Sequence, residues 1–232
     1  LCGKVPVNLN FTSSRKSIES AIRQCDINVV ITSRKFIRNF GRLDAPEGSV
    51  YLEDLVKEIT PLDKIPSIFK AVFFPSKMLG QRRWFNADDL ATVIFSSGST
   101  GEPKGIMLSH HNIMSNIEAM RMLMRGEPGD NFCGVLPFFH SFGLTANLWL
   151  PLTSGFSASY HPSPLDAEAV ARLVRENRST VLLTTPTFLS RYMKKAKPED
   201  FKTLRWVVAG AEKLRRQLSE KFEEKFGIRP LE

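Results

Sequence analysis

Residues 95–105 bring together small, donor-rich side chains and one lysine. The stretch reads FSSGSTGEPKG and follows an apolar run, residues 91–95, that is predicted to form a buried strand. Its glycines permit positive φ angles and a close backbone approach, so several N–H groups can converge on one anion. The hydroxyl groups add donors, and the lysine adds a positive charge. The stretch therefore suits a polyphosphate, and its candidate binding residues are Ser97, Gly98, Ser99, Thr100, Gly101 and Lys104.

The spacing of these residues differs from the two common phosphate-binding loops. The GxxxxGK(S/T) pattern is absent, since Pro103 precedes the lysine, and there is no GxGxxG pattern. A flexible surface loop rich in serine and glycine is the remaining alternative. Three or four charge-assisted hydrogen bonds contribute about 1.5–3 kcal/mol each, whereas immobilising a ligand costs about 4–15 kcal/mol. The loop therefore needs an adenine pocket and a metal beside it to bind a triphosphate well.

The rest of the chain alternates short β-rich runs with amphipathic helical patterns. This alternation predicts an α/β fold with mostly parallel sheets flanked by helices. Residues 54–90 are less regular, and we expect a mobile surface excursion over residues 61–84. Helical faces are predicted around Ile18 and Ala21 and around Ile113 and Ile117. The predicted strands are residues 5–9, 29–32, 50–52, 91–95, 106–108, 133–136, 157–160, 181–184 and 206–209, and further helices are predicted over residues 144–152, 166–176, 186–193 and 215–226.

The composition is that of a globular protein with an anionic partner. Of 232 residues 42% are hydrophobic, and 32 basic against 24 acidic residues give a net charge of +8. No nucleic-acid-binding signature accompanies this charge, so nucleic acid is not the expected partner. Three cysteines without a CxxC pair indicate neither a zinc site nor a disulfide framework and favour a reducing cytosol. No signal peptide is recognisable, and the most apolar stretch, residues 132–152, is a poor membrane span.

Four motifs resemble those of the adenylate-forming (AMP-binding) superfamily, which includes acyl-CoA synthetases and peptide-synthetase adenylation domains. They are the loop SSGSTGEPKG, GKVPVNLN at residues 3–10, LPFFHSFGLT at residues 136–145 and VVAGAEKL at residues 207–214. YLEDL and HPSPL, at residues 51–55 and 161–165, resemble one subgroup more closely. That subgroup consists of bifunctional bacterial proteins that join a lysophospholipid (2-acylglycerophosphoethanolamine) acyltransferase to an acyl-acyl-carrier-protein synthetase.

The resemblance implies a two-step reaction. A fatty carboxylate attacks the α-phosphate of ATP to give an acyl-adenylate, and the thiol of coenzyme A or of a carrier protein's phosphopantetheine then displaces AMP. By the same resemblance Lys104 and His140 are catalytic, and His140 and Phe142 lie near the acyl entrance. The segment against which adenine lies is Gly210, Ala211 and Glu212.

Each of these residues also has a purely structural alternative. His140 could be a packed core histidine, and Phe138, Phe139 and Phe142 could be core aromatics. Gly210 could simply end a strand, and Glu212 could be a solvated carboxylate at a helix start. His110 and His111 are interpreted as structural or helix-capping, because no further histidine is spaced to complete a metal site.

The resemblance also implies that these residues form part of a longer protein. We expect residues 1–232 to be a partial N-terminal AMP-binding domain, with a first α/β portion over residues 1–90 and a second over residues 91–232. The glutamate that holds Mg²⁺ and a C-terminal domain with a catalytic lysine are expected beyond residue 232, so we expect no metal ligand within the fragment and no activity from it alone. The alternatives are a fragment of an acyl-CoA ligase and a non-catalytic nucleotide- or acyl-binding module; the loop spacing disfavours a P-loop NTPase. The expected location is the cytoplasm, with the intact protein at the inner membrane.

Overall fold

The structure is a computed structural model, and it describes residues 3–40, 44–73, 86–96 and 102–232. The chain divides into two compact units, Leu1–His110 and His111–Glu232. Among the described residues, no helix is both long enough and apolar enough to cross a membrane.

The first unit begins with a series of short helices around a two-stranded parallel sheet. Strand β1 pairs with β2 in the register Ile31↔Val50 and Thr32↔Tyr51. Helix α1 has Ser14 as its N-cap, whose hydroxyl accepts a hydrogen bond from the N–H of Ser17. The elements are α1 (Arg15–Gln24), β1 (Ile31–Thr32), α2 (Arg34–Phe40), β2 (Val50–Tyr51), α3 (Leu52–Glu58) and α4 (Pro61–Phe73).

The N-terminus of α2 is capped by a carboxylate from another segment. Glu53 accepts hydrogen bonds from the Ser33 hydroxyl at 2.6 Å and from the N–H of Arg34 at 3.0 Å. The hydrogen bond from Ser33, followed by those from backbone N–H groups, lowers the pKa of Glu53 to about 2. The ionised carboxylate therefore ties the N-terminus of α2 to the first turn of α3.

Two predictions for this unit are wrong. Within residues 5–9 only Val7 pairs, in a single parallel bridge to Val93, because Pro6 has no N–H to give to a ladder. Residues 61–73 form a helix instead of an irregular excursion. Pro61 suits a first helical turn, and the N–H of Thr60 donates to Asp63 at 2.8 Å. Residues 74–85 lie outside the described residues.

The first unit ends with an antiparallel hairpin that leads into and out of the predicted phosphate loop. It consists of β3 (Leu90–Ser96) and β4 (Lys104–Ser109). The predicted strands at residues 91–95 and 106–108 are confirmed, although both are longer than expected. Val93 and Ile94 are buried. This pair is an antiparallel exception to the expectation of mostly parallel strands.

The second unit is a parallel sheet flanked by helices. Its strand order is β6-β5-β7-β8, and all three neighbouring pairs are parallel. Leu231 adds a parallel bridge to Val208 beyond β8. The α/β fold with parallel strands is thus confirmed. The elements are α5 (His110–Met124), β5 (Asn131–Gly134), a π-helix (Gly143–Trp149), α6 (Leu150–Ser154), β6 (Ser157–Tyr160), α7 (Ala167–Asn177), β7 (Val181–Thr184), α8 (Pro186–Lys195), a 3-10 turn (Pro198–Asp200), β8 (Trp206–Ala209) and α9 (Arg216–Phe226).

The core of this unit lies between the sheet and helices α7, α8 and α9. Val174, Leu182, Leu189, Val207 and Phe222 are completely buried in one cluster. At about 25 cal/mol per Å² of apolar surface removed from water, side chains of this size each contribute about 1.5–3 kcal/mol. The buried cluster therefore holds the carboxyl ends of β7 and β8 in fixed positions.

Local signals set the ends of the flanking helices. Asp166 caps α7 by accepting the N–H of Ala169 at 3.0 Å, and α8 begins at Pro186 after the N-cap Thr185. Gly227 ends α9 with φ of 72°. The helices predicted over residues 186–193 and 215–226 are thus confirmed as α8 and α9.

Candidate functional site

The exit side of the phosphate loop is held by helix α1. In the hairpin register Ser96 lies opposite Lys104, so the two ends of the loop meet. Glu102 accepts a hydrogen bond from the hydroxyl of Ser20 at 2.7 Å, and the carbonyl of Pro103 accepts one from Gln24 at 2.9 Å. The exit of the loop is therefore tied to a helix over about 80 residues of sequence. The predicted binding residues Ser97, Gly98, Ser99, Thr100 and Gly101 lie outside the described residues.

Lys104 is the predicted loop residue that the structure describes. It begins β4 and is exposed. The next residue, Gly105, faces a crowded surface, where an added Cβ would lie 3.1 Å from Cγ1 of Val93. Packing against the partner strand β3 thus restricts the backbone next to Lys104.

In the second unit the predicted residues gather at one edge of the parallel sheet. The carboxyl ends of parallel strands meet at a common edge, which is where open α/β sheets bind ligands. The N–H of Gly210, just after β8, donates to the carbonyl of Thr184 at the end of β7 at 3.0 Å. This bond extends the ladder by one residue and fixes the backbone of the predicted adenine segment.

The aromatic-histidine motif and the glycine of the predicted adenine segment are in direct contact. A Cβ built on Gly210 would lie 2.9 Å from Cε1 and 3.1 Å from Cζ of Phe142. These distances are shorter than carbon–carbon contacts of about 3.5–4.0 Å. The ring of Phe142 therefore occupies the space that a side chain at position 210 would need. Two motifs about 70 residues apart in sequence thus form one surface.

Ala211 and Glu212 continue this surface. Ala211 has φ of 67°, in the left-handed region that costs a residue with a Cβ about 1–2 kcal/mol. Such strained positions are frequent at functional sites. The exposed Glu212 accepts a hydrogen bond from the hydroxyl of Thr187 at 2.6 Å, which joins the segment after β8 to the first turn of α8. Glu212 precedes α9 by several residues, so it is not a helix-start carboxylate.

His140 is exposed to solvent beyond the end of β5. Its ring centroid lies 4.5 Å from that of Phe139, which is buried. Partial desolvation lowers the pKa of His140 below its ordinary value, which favours the neutral imidazole near pH 7. The alternative of a packed core histidine is therefore wrong, whereas Phe139 is a core residue and Phe142 is half-buried.

A π-helix after His140 holds this segment in place. Gly143 lies so close to the carbonyl of Pro137 that an added Cβ would be 2.2 Å from that oxygen. The prediction of a regular helix over residues 144–152 is wrong in this respect, because the first part is a π-helix, which often occurs at functional sites. The predicted strand 133–136 likewise shifts to 131–134.

Asn147 is a site-supporting residue that the sequence reasoning missed. It is fully buried, and with its amide oxygen turned toward the strand end it accepts the N–H groups of Leu136 at 3.0 Å and Val135 at 3.2 Å. The backbone carbonyl of Asn147 accepts a hydrogen bond from the hydroxyl of Tyr160 at 2.9 Å. The sequence does carry a signal for it, because Asn147 is a polar residue within the apolar run of residues 132–152. In the sequence analysis that run served only to argue against a membrane span. Within the described part of the chain, no three His, Cys, Asp or Glu side chains group as metal ligands.

Comparison with known proteins decides the family. Over residues 1–232 the sequence matches the family described as AMP-binding enzyme. The chain belongs to this family. The predicted superfamily is thus confirmed, and the fold is that of the N-terminal domain of adenylate-forming ligases.

Individual relatives within this family differ in their named substrates. The chain is 34% identical over 146 residues to p-hydroxybenzoic acid–AMP ligase FadD22 of Mycobacterium tuberculosis, and the aligned region covers 62% of this chain and 21% of the ligase. It is 28% identical over 233 residues to 4-coumarate–CoA ligase-like 6 of Arabidopsis thaliana, which covers 95% and 40%. The crystal structure of ATP-bound MatB from Rhodopseudomonas palustris superimposes with a TM-score of 0.73 at 23% identity, over 97% of this chain and 43% of MatB. The chain therefore spans less than half the length of these relatives.

Proposed function

We propose that this member of the AMP-binding family is part of a ligase that activates a fatty acid with ATP. In the first step a carboxylate oxygen forms a bond to the α-phosphorus of ATP, and the bond to pyrophosphate breaks. In the second step a thiolate attacks the acyl carbonyl and AMP leaves, which gives a thioester. Charge neutralisation and positioning dominate such phosphorus chemistry.

The contact between Phe142 and Gly210 is the observation that carries this proposal. It joins the aromatic-histidine motif to the predicted adenine segment at the carboxyl edge of a parallel sheet. On that surface we assign Gly210, Ala211 and Glu212 to the nucleotide. His140 and Phe142 are assigned to the carboxylate and the start of the acyl chain.

In the first unit, the hairpin that flanks the loop is the proposed site for pyrophosphate. Lys104 and residues 97–101 would bind the pyrophosphate as it leaves, with the lysine offsetting negative charge. Magnesium would supply further charge neutralisation, and its ligands are expected beyond residue 232. Among the described residues the hydrogen bonds from Ser20 and Gln24 support this assignment, because they hold the exit of the loop in one conformation.

We further propose that the thiol belongs to a carrier protein and that the acyl group finally reaches a lysophospholipid. The motifs at residues 51–55 and 161–165 support this subgroup, and in this scheme the intact protein works in the cytoplasm at the inner membrane. An acyl-CoA ligase is the second candidate, supported by a named CoA ligase among the relatives. A non-catalytic binding module is the third.

Exchange of pyrophosphate into ATP tests the first step in the intact protein. Long-chain fatty acids should promote exchange more strongly than p-hydroxybenzoate or malonate. The two thiols, supplied together with ATP and magnesium, then decide the acceptor. Dominant acyl-CoA at every salt concentration would reject the carrier protein, and an absence of exchange with every acid would reject catalysis.

A further inference from the structure

An open groove with a strongly basic lining adjoins the candidate site of the second unit. It has a volume of about 1270 Å³ and is lined by three segments, within residues 165–168, 186–195 and 212–221. We define these three segments as the basic groove. Thr187 and Glu212, which are hydrogen-bonded to each other, belong to both the groove and the candidate site. The groove thus runs outward from the proposed site of chemistry.

The lining has an excess of uncompensated positive charge. It contains six basic and three acidic side chains. The acidic ones are already engaged, since Asp166 caps α7, Glu212 accepts from Thr187, and Glu168 pairs with Lys195 at 3.2 Å. Within the described residues, no carboxylate lies at ion-pair distance from the five other basic side chains, all of which are exposed: Arg191, Lys194, Lys213, Arg215 and Lys221.

These cations come from more than one wall of the groove. Arg191 and Lys194 are three residues apart on α8 and so share one face of that helix. Lys221 comes from α9, on another wall. Small-ligand pockets are about 300–1,000 Å³, mostly apolar and enclosed. A larger and open groove lined by cations instead suits a protein surface of opposite charge.

We propose that the basic groove is the docking surface for the acidic carrier protein that presents the acceptor thiol. This inference rests on the proposed function and adds the place of contact. A carrier protein docked there delivers its phosphopantetheine past Thr187 toward the surface formed by Phe142 and Gly210. Charge complementarity of this kind raises the association rate and makes it dependent on salt.

Charge reversal in the groove of the intact protein tests the proposal. The variant Arg191→Glu/Lys221→Glu changes two exposed side chains that lie outside the assigned chemistry. Arg172→Glu/Lys202→Glu is the matched control, because both residues are exposed, belong to the same unit and lie outside the groove. We expect the groove variant to raise the KM for holo acyl carrier protein about tenfold or more and to weaken its salt dependence. The control should remain within about twofold of the unchanged protein.

Two further measurements separate this proposal from the proposed function. Pyrophosphate exchange, which needs no thiol, should be equal in all three proteins, and the KM for coenzyme A should not change. If the groove variant and the control have the same KM for carrier protein, the docking surface is wrong. If the KM for coenzyme A rises equally, the groove binds phosphate groups and protein docking is overturned. If the unchanged protein shows no exchange, the proposed function fails, and calorimetric binding of holo carrier protein to the same variants still decides the groove.

Discussion

Gly210→Ala is the substitution that most directly tests the surface formed by Phe142 and Gly210. The added Cβ would lie 2.9 Å from Cε1 of Phe142, so the ring must retreat by about 0.6 Å to reach an ordinary contact of about 3.5 Å. Overpacking of a tight interior costs about 1–3 kcal/mol. Because Phe142 is only half-buried and can move toward solvent, we expect about 1 kcal/mol, which lowers Tm by about 2–4 °C.

The effect on chemistry should be much larger than the effect on stability. Displacement of a substrate-positioning group by about 1 Å can cost about 100-fold in rate. We therefore expect Gly210→Ala to slow pyrophosphate exchange in the intact protein by about 10- to 100-fold. Thermal unfolding followed by circular dichroism measures the stability of the same variant.

A second substitution makes this prediction specific. Phe142→Leu removes the ring atoms that meet the new Cβ, so adding it to Gly210→Ala should recover part of the lost exchange and most of the lost stability. Normal exchange in Gly210→Ala, or a double variant no better than the single one, would show that the contact does not shape the site. A fall in Tm of more than about 10 °C would instead identify Gly210 as a folding residue.

Three further predictions concern charged residues in both units. Lys104→Ala should slow pyrophosphate exchange in the intact protein about tenfold or more, with Tm unchanged within about 1 °C; a shift in Tm with normal exchange would reassign this lysine to structure. Asp130 is buried and accepts hydrogen bonds from Thr180 at 2.7 Å and from Arg205 at 3.2 Å. Asp130→Ala should therefore lower the free energy of unfolding, measured in urea, by about 2–4 kcal/mol. Glu168→Ala, which breaks an exposed ion pair, should lower it by less than about 1 kcal/mol. Folding lowers the pKa of Glu53 from 4.5 to about 2, so the contribution of its carboxylate to stability is complete above pH 4.5 and is lost as the pH falls toward 2. Glu53→Gln should therefore be less stable than the unchanged protein at pH 7 and should lose less stability between pH 4.5 and 2. Unfolding in urea at a series of pH values would measure both differences.

The sequence predicts the second unit better than the first, for a physical reason. Strands at residues 157–160, 181–184 and 206–209 are found with the predicted bounds, since each is a short apolar or alternating run between clear helix signals. Helix α8 begins at Pro186 as predicted. Here local propensity and burial in the parallel sheet favour the same structure.

In the first unit the local signals are weaker or point the wrong way. Residues 5–9 have the alternation of a strand, but Pro6 allows only one bridge, and its carbonyl is instead bound by the hydroxyl of Thr92 at 2.8 Å. Residues 61–73 lie within the predicted surface excursion and contain two prolines, yet they form a helix. Pro61 starts the helix, and Pro66 is accommodated inside it. Leu62, Ile65, Phe69 and Val72 have the spacing of one helical face, so the local pattern does indicate this helix although these side chains remain exposed.

The site shows why motif recognition finds residues without giving their arrangement. In the sequence, nothing distinguishes the burial of the three phenylalanines and the histidine of residues 138–142. In the structure Phe139 is buried, Phe142 covers Gly210 and His140 faces solvent. That sorting depends on where the chain turns after β5. The turn is set by tertiary contacts, such as that of Phe142 with Gly210, which the motif itself does not show.

Asn147 is the residue that fixes this turn. Beyond Gly134 strand β5 has no further ladder partner, so the N–H groups of Val135 and Leu136 would be buried without an acceptor, at a cost of about 1–3 kcal/mol each. The amide oxygen of Asn147 accepts both, which seats the π-helix directly on the end of the strand. Only a residue with a short polar side chain can reach two adjacent N–H groups from inside an apolar helix. A polar residue that looks misplaced in the sequence thus determines where His140 emerges.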